Sequence, residues 1–363
     1  MTKKTIVTLP GDGIGPEVVR GTLPILEKVA AEFGLELSFD EYAFGGTSYD
    51  QHGTPATDEA IDAAKSSDAV LLGAVGGEKW DPLTGADRPE SGLLRIRAEL
   101  GVYANFRPVK VWDELAHAST LKEDVIKGVD ILIIRELTGG IYFGKPRETV
   151  LDVEDPYSFD TMRYSRSEIR RVANKAFEAA RLRDGRVCSV DKANVLGSSR
   201  FWRDTVIDFA KEQAGVELSH MLVDNGAMQL VRNPRQFDVL LTSNLFGDIL
   251  SDEAAMLTGS IGMLPSASLG DGAGLYEPVH GSAPDIAGQD KANPLATIAS
   301  AALLFRYSLN QEEAAQWIER AIEKTLADGF RTGDITTGSD DETVLGTTDM
   351  SKQVLSALDQ TRA

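Results

Sequence analysis

Short apolar runs alternate with helix-periodic stretches along this chain, and that alternation constrains its fold more than any other feature. The runs at 5–9, 69–72, 129–134, 187–190, 221–223 and 239–241 are apolar nearly throughout, which predicts strands covered on both faces, the condition of a largely parallel sheet between helices. Val19, Leu23, Leu26, Ala30 and Phe33 recur at intervals of four and three, one face of a helix that Pro16 opens and Pro24 is expected to kink. Ser165 with Glu168, and Asn310 with Glu313, have capping-box spacing, and Asn293 and Pro294 are read as opening an apolar, buried helix to Leu309. The fold class is therefore α/β. A chain of 363 residues suggests two domains at about 150 residues each. Residues 259–288 hold seven glycines and three prolines without periodicity and are read as a long functional loop.

Charge and cysteine content narrow the function. With 37 Lys plus Arg against 56 Asp plus Glu, the net charge of −19 disfavours nucleic acid and anionic membranes as partners. No apolar stretch approaches the roughly 20 residues of a membrane span. The single Cys188 forms no internal disulfide, and the four histidines lack metal-ligand spacing, so a cytoplasmic setting is expected.

In open α/β sheets ligands bind beyond the carboxyl ends of the strands, and here those ends are polar: Arg135 and Glu136, Asp191 and Lys192, Asp224 and Asn225, Thr242 to Asn244. In SNLFGDILSDEA, Asp248 and Asp252 lie four apart on a helical pattern, one turn apart on one face, where they can share a hard cation such as Mg²⁺ or Mn²⁺. An isolated pair of this kind is more often a solvated surface. The flanking Leu245, Phe246, Ile249 and Leu250 favour the metal reading, because like charges beside apolar groups are costly without a counter-ion. Asp224, read as ending its own strand, is the candidate third ligand.

Arg97, Arg107 and Arg135 are singly ordinary, but several guanidinium forks together suit a substrate with two carboxylates. Lys192 and Tyr142, at or after strand ends, are the candidate proton-transfer groups. The segment GDGIGPE imitates a dinucleotide fingerprint but has Pro16 where the third glycine belongs, with Asp12 and Glu17 at the turn, so no standard Rossmann site is expected although Glu36 lies where a ribose-binding acid would.

The motifs LPGDGIGPEV, LLGAVGG, RPESGLLRIR, ANFRPV, RELTGGIYFG, DKANVL, VDNGAMQLV, SNLFGDILSDEA and GLYEPVHGSAPDIAG, in this order, resemble the β-decarboxylating dehydrogenases of the isocitrate/isopropylmalate type. The resemblance implies two interleaved α/β domains, 1–104 plus 259–363 for NAD and 105–258 for dimerisation, metal and substrate residues, with the active site in the cleft between them. It implies a homodimer that oxidises and decarboxylates a 3-alkylmalate, specifically 3-isopropylmalate to 4-methyl-2-oxopentanoate and CO₂ in leucine biosynthesis. Arg97, Arg107 and Arg135 would hold the malate carboxylates; Asp248 and Asp252 would bind Mg²⁺ or Mn²⁺ with Asp224 of the other subunit, which also touches substrate. Lys192, also across the dimer, would help remove the hydroxyl proton, and Tyr142 would donate a proton at C3. Glu90, Leu93, Leu94 and Val195 would line the substrate's alkyl pocket, where Leu93 favours an apolar group over a third carboxylate. NAD would meet Gly76, Gly77, Glu277, His280, Gly281, Ser282, Ala283, Asp285, Ile286 and Asn293, with Asp285 repelling a 2′-phosphate. Gly226 departs from the family's usual alanine without touching a proposed ligand.

Two alternatives stand beside this reading. One is oxidation of isocitrate, homoisocitrate, tartrate or malate, against which Leu93 and Leu94 speak. The other is a non-catalytic metabolite- or metal-binding subunit, which has no need of Lys192, Tyr142 and three ligating aspartates together.

Overall fold

The computed structural model describes residues 1–362, which form two compact units: Met1–Val102 with Trp112–Thr120 and the chain from Thr258 onward, and Tyr103–Val111 with Leu121–Leu257. Segment 112–120, which the sequence reading leaves in the second domain, belongs to the first unit. There Leu115 and Ala116 are buried, and Arg331 donates to the Glu114 carbonyl at 3.3 Å. No helix among the described residues is long and apolar enough to cross a membrane.

The chain opens the first unit with β1 (Thr2–Gly11), α1 (Gly15–Glu32), β2 (Leu35–Glu41), α2 (Gly46–His52), α3 (Asp58–Ser66), β3 (Ala69–Ala74) and α4 (Pro89–Glu99). β1 lies between β2 and β3, parallel to both. α1 runs through Pro24 without interruption; the ring is on the exposed face, where the carbonyl it leaves without a donor is open to solvation. The turn after β1 shows why GDGIG is no phosphate cradle. Asp12 is buried and its carboxylate accepts from the Gly46, Thr47 and Gly76 amides at 2.7–2.8 Å, so the acid that argues against a pyrophosphate is a structural tie.

The second unit carries β4 (Ala104–Lys110), α5 (Glu123–Ile126), β5 (Asp130–Glu136), β6 (Glu148–Val150), β7 (Tyr157–Phe159), α6 (Arg166–Arg181), β8 (Arg186–Asp191), α7 (Gly197–Ala210), β9 (Glu217–Leu222), α8 (Val223–Arg232), β10 (Val239–Thr242) and α9 (Asn244–Ala255). Its strands run in the order β4-β5-β10-β8-β9, all parallel except β4, while β6 and β7 form a separate hairpin. The parallel strands therefore end on one edge. Ser165 and Glu168 close the expected capping box on α6. Asp224 does not end a strand: β9 stops at Leu222, and Asp224 sits in the first turn of α8.

Back in the first unit, the stretch read as one long loop contains β11 (Pro265–Leu269) and β12 (Gly274–Pro278), an antiparallel pair whose second strand runs parallel beside β3. Ser266, Ala267 and Ser268 are buried in it, and their small, partly polar side chains hide the strand from an apolar pattern. α10 (Leu295–Tyr307), α11 (Glu312–Ala327) and α12 (Thr347–Thr361) complete the unit. α10 stops at Tyr307 rather than Leu309, and it is buried on nearly every side, each large apolar side chain contributing about 1.5–3 kcal/mol. Pro294 is its N-cap residue, but the amide of Leu295 bonds the Asn293 side chain at 2.9 Å, so Asn293 supplies the capping oxygen. The second expected capping box is absent. Asn310 takes a positive φ of 54° where the chain reverses, leaving Gln311 as N-cap without a side-chain bond.

Candidate active site

Along the parallel edge of the second unit, β5 ends in Arg135 and α9 begins just past the end of the adjacent β10. Arg135 is held on three sides. Its shaft lies on Gly247, where a Cβ would come within 2.6 Å; its Nε and Nη2 donate to Asn244 Oδ1 at 3.0 and 2.8 Å; and its Nη1 bonds Asp248. Asp248 and Asp252 occupy one face of α9 as their spacing requires, and Arg107 from β4 stands 3.8 Å from Asp252. The Tyr142 hydroxyl, on the short turn Gly140–Tyr142, donates to Asp248 at 2.7 Å. That bond pushes the tyrosine pKa up, since losing the proton would set two anions side by side. The structure thus places Arg107, Arg135, Asp248, Asp252 and Tyr142 together, with each arginine beside one of the paired aspartates, a pairing that the sequence does not signal.

Lys192 follows β8 and donates to Asp224 at 2.8 Å, which draws the Asp224 pKa below the usual carboxylate range. Among the described residues of this one chain, no three His, Cys, Asp or Glu side chains gather as a metal site, so Asp224 does not complete the Asp248–Asp252 pair within its own subunit. Two hard oxygen donors one helical turn apart suit a hard divalent cation that takes its remaining ligands from elsewhere. Val195 is exposed in the turn between β8 and α7.

In the first unit, α4 carries Glu90, Leu93, Leu94 and Arg97; Leu94 is exposed, Leu93 half-buried, and Arg97 bonds Glu277 from β12. Gly76 and Gly77 take φ of 94° and 158°, and a Cβ on Gly76 would meet Glu90 at 3.0 Å. The segment after β12 is tied to the first turn by the Ile14 amide bonding the Ser282 carbonyl at 2.8 Å, and Ala283 and Ile286 pack on Ile14 and Val18. His280 Nδ1 lies 2.9 Å from the Gly281 carbonyl, so Nδ1 carries the proton and Nε2 is an acceptor; that Nε2 is buried with no partner. Burial lowers the imidazole pKa and keeps the ring neutral. An orphaned acceptor beside an open Gly281 and an exposed Asp285 fits a ligand that brings its own hydroxyl or amino donors, as the adenosine of a dinucleotide does. Asn293 is buried and largely committed: its amide donates to Asp334 at 3.1 Å and its oxygen caps α10. Asp334 and Tyr164, whose hydroxyl accepts from the Asn244 amide at 2.9 Å, are site-supporting residues that sequence reasoning missed; nothing in their neighbouring residues signals either.

A family model described as isocitrate/isopropylmalate dehydrogenase matches residues 5–354. The 3-isopropylmalate dehydrogenase of Wolinella succinogenes is 59% identical over 335 residues, 92% of each chain, and that of Xanthomonas euvesicatoria pv. vesicatoria is 56% identical over 359 residues, 98% of this chain and 99% of the relative. Among solved structures, an isocitrate dehydrogenase from Methylococcus capsulatus superposes with a TM-score of 0.83 at 31% identity, covering 99% of both chains. A β-decarboxylating dehydrogenase from Thermococcus kodakarensis gives 0.81 at 34% identity over 99% of this chain and 97% of that one.

Proposed function

The chain belongs to the isocitrate/isopropylmalate dehydrogenase family, and from that premise we infer that it oxidises and decarboxylates 3-isopropylmalate to 4-methyl-2-oxopentanoate and CO₂ in leucine biosynthesis, with NAD and a divalent cation, Mg²⁺ or Mn²⁺. The observation that carries the reading is the convergence of Arg107, Arg135, Tyr142 and the Asp248–Asp252 pair on one sheet edge. Asp248 and Asp252 would hold the cation, which when bound would supply positive charge beside the substrate's C2 oxygen, and NAD would serve as the hydride acceptor.

The protein's own residues do the rest. Arg107 and Arg135 bind carboxylate through their forked donors, and Arg97 joins them on exchanging Glu277 for substrate. Lys192, in its neutral form, helps remove the C2 hydroxyl proton as the hydride leaves. The bond from C3 to the departing carboxylate then breaks, its electron pair passing into the C2 carbonyl as an enolate, and Tyr142 returns a proton to C3. The raised pKa of Tyr142 keeps that proton in place at neutral pH. Leu93 and Leu94, with Val195, would face the alkyl arm, and Gly76, Gly77, Glu277 and the 280–293 segment would take the dinucleotide. Asp285 favours NAD over NADP because a carboxylate accepts from ribose hydroxyls and repels a 2′-phosphate.

We propose a homodimer in which Lys192 and Asp224 serve the Asp248–Asp252 site of the other subunit. The absence of a three-ligand group within the described residues of one chain supports this, as do exposed Met228 and Val231 on α8, exposed Ile249 on α9 and exposed Met256 just past its end, apolar surface that a second copy would cover. A cytoplasmic location agrees with the lone, buried Cys188.

NADH absorbance, followed with NAD, Mg²⁺ and malates bearing isopropyl, carboxymethyl, hydroxyl or hydrogen at C3, tests the reading. The isopropyl compound is expected to give the highest kcat/KM. Greater efficiency on isocitrate would overturn the specificity, and no turnover on any member by intact dimer with metal would favour a binding-only subunit.

A further inference from the structure

Asn244 stands between two parts of the site that perform different tasks. Its Oδ1 receives both Nε and Nη2 of Arg135, at 3.0 and 2.8 Å, and its Nδ2 donates to the Gly139 carbonyl at 3.1 Å, at the head of the turn that carries Tyr142. The side chain is 1% exposed, so neither bond has water as a substitute. One planar amide therefore sets the plane of the guanidinium and the position of the tyrosine turn together, because rotating it to relax one bond breaks the other.

Behind Asn244 lies a second layer. Its backbone amide donates to the Tyr164 hydroxyl at 2.9 Å, and that hydroxyl lies beside the carboxylate of Glu136, which has no exposed surface. Glu136 accepts from the Thr138 amide and hydroxyl at 3.0 and 2.9 Å and from the Gly139 amide at 2.8 Å, gripping the same turn from the other side. Glycines are required there. A Cβ on Gly140, whose φ is +74°, would sit 2.3 Å from the Tyr164 oxygen. The Tyr164 ring is fixed edge-on to Trp202 with centroids 5.2 Å apart. Asn244, Tyr164 and Glu136 are each buried with a hydrogen-bond partner, the condition under which polar groups in a core specify one geometry.

We propose that Asn244, backed by Tyr164 and Glu136, is a positioning residue that locks the carboxylate-binding Arg135 to the proton donor Tyr142, so that substrate seating and C3 protonation depend on one rigid element. The proposal rests on the roles given above to Arg135 and Tyr142. Asn244 touches neither substrate nor cofactor; it acts by holding the Arg135 fork at one orientation while keeping the Tyr142 hydroxyl over the same aspartate that Arg135 contacts.

The test compares Asn244→Ala and Tyr164→Phe with the reference variants Arg135→Lys and Tyr142→Phe in the full-length enzyme. Four quantities are read: KM for 3-isopropylmalate, KM for NAD, the fraction of oxidised intermediate that loses CO₂ rather than returning to substrate, and Tm. In Asn244→Ala the substrate KM is expected to rise and the forward fraction to fall together, each by about tenfold, while the NAD KM stays within about twofold. Tyr164→Phe, which keeps the ring on Trp202 and removes only the hydroxyl, should move the same two quantities in the same directions by less. A folded Asn244→Ala in which only one of the two moves, or neither, overturns the coupling. If that variant does not fold, Tyr164→Phe decides by the same criterion. Should Arg135→Lys leave the substrate KM unchanged and Tyr142→Phe leave the forward fraction unchanged, the roles of those residues fail instead, whatever Asn244 does.

Discussion

At the sheet edge of the second unit the functional cations already have anions beside them: Arg135 on Asp248, Arg107 near Asp252, Lys192 on Asp224. In the 280–293 segment of the first unit the position is reversed, with His280 Nε2 buried and unpartnered and Asp285 open to solvent. On the proposed function the first arrangement would bind by exchange, since a cation or carboxylate arriving at the edge replaces one charge partner with another. The second would bind by completion, since the ligand supplies a donor that the fold lacks. Removing a charge at the edge strands its neighbours, whereas altering the segment removes one contact among several.

Asp248→Asn attacks the exchange side hardest. It withdraws a proposed metal ligand, the Tyr142 acceptor and an Arg135 partner at once, and kcat/KM should fall by about 100- to 1,000-fold, with Mn²⁺ affinity of the unliganded protein falling in calorimetry. Unchanged metal binding would remove Asp248 from the ligand set. On the completion side, Asp285→Lys should lower kcat/KM with NAD by about tenfold and raise it with NADP. Equal loss with both cofactors would mean that Asp285 shapes the segment without reading the ribose.

Acid should separate the two regions more gently. Burial holds the His280 pKa below its ordinary 6.5, so the neutral ring's contribution to stability is present above pH 6.5 and is lost as pH falls from there through the folded-state value. NAD affinity, for which the same bare Nε2 is the proposed acceptor, should weaken a few-fold across that interval, measured by fluorescence titration. His280→Gln should flatten the dependence; a slope that persists belongs to another group. The smallest effect lies outside both regions. A Cβ on Gly226 in α8 would meet Val190 at 3.4 Å, ordinary contact distance, so Gly226→Ala should stabilise the protein by about 0.5–1 kcal/mol in urea unfolding without changing KM. A loss of stability would show that α8 cannot yield at that contact.

Much of the edge was legible because its signals are local. Apolar runs mark β5, β8 and β10, polar residues follow them, and Asp248 and Asp252 carry their helical spacing in plain view. What escaped was contact between distant segments. Tyr164 lies 80 positions from the Asn244 amide it receives, and Asp334 is 41 from Asn293. Asp12 looked like an electrostatic objection and is a buried tie to amides 34 to 64 residues away. The β11–β12 pair was hidden because serine, alanine and glycine make a strand that periodicity does not register.

By itself the sequence determined the fold class, the family and the side chains available for chemistry, because strand and helix periods, cap spacing and ordered motifs are written over short stretches of chain. Only the tertiary structure decided which charges neighbour one another: that Arg135 shares Asp248 with Tyr142, that Asn244 joins Arg135 to the Gly139 turn, and that Lys192 answers Asp224. Hydrogen bonds and ion pairs act over a few ångströms of space, and the strand order that brings β5, β10 and α9 side by side comes from burying their apolar faces together, a property of the whole packed unit rather than of any window of sequence.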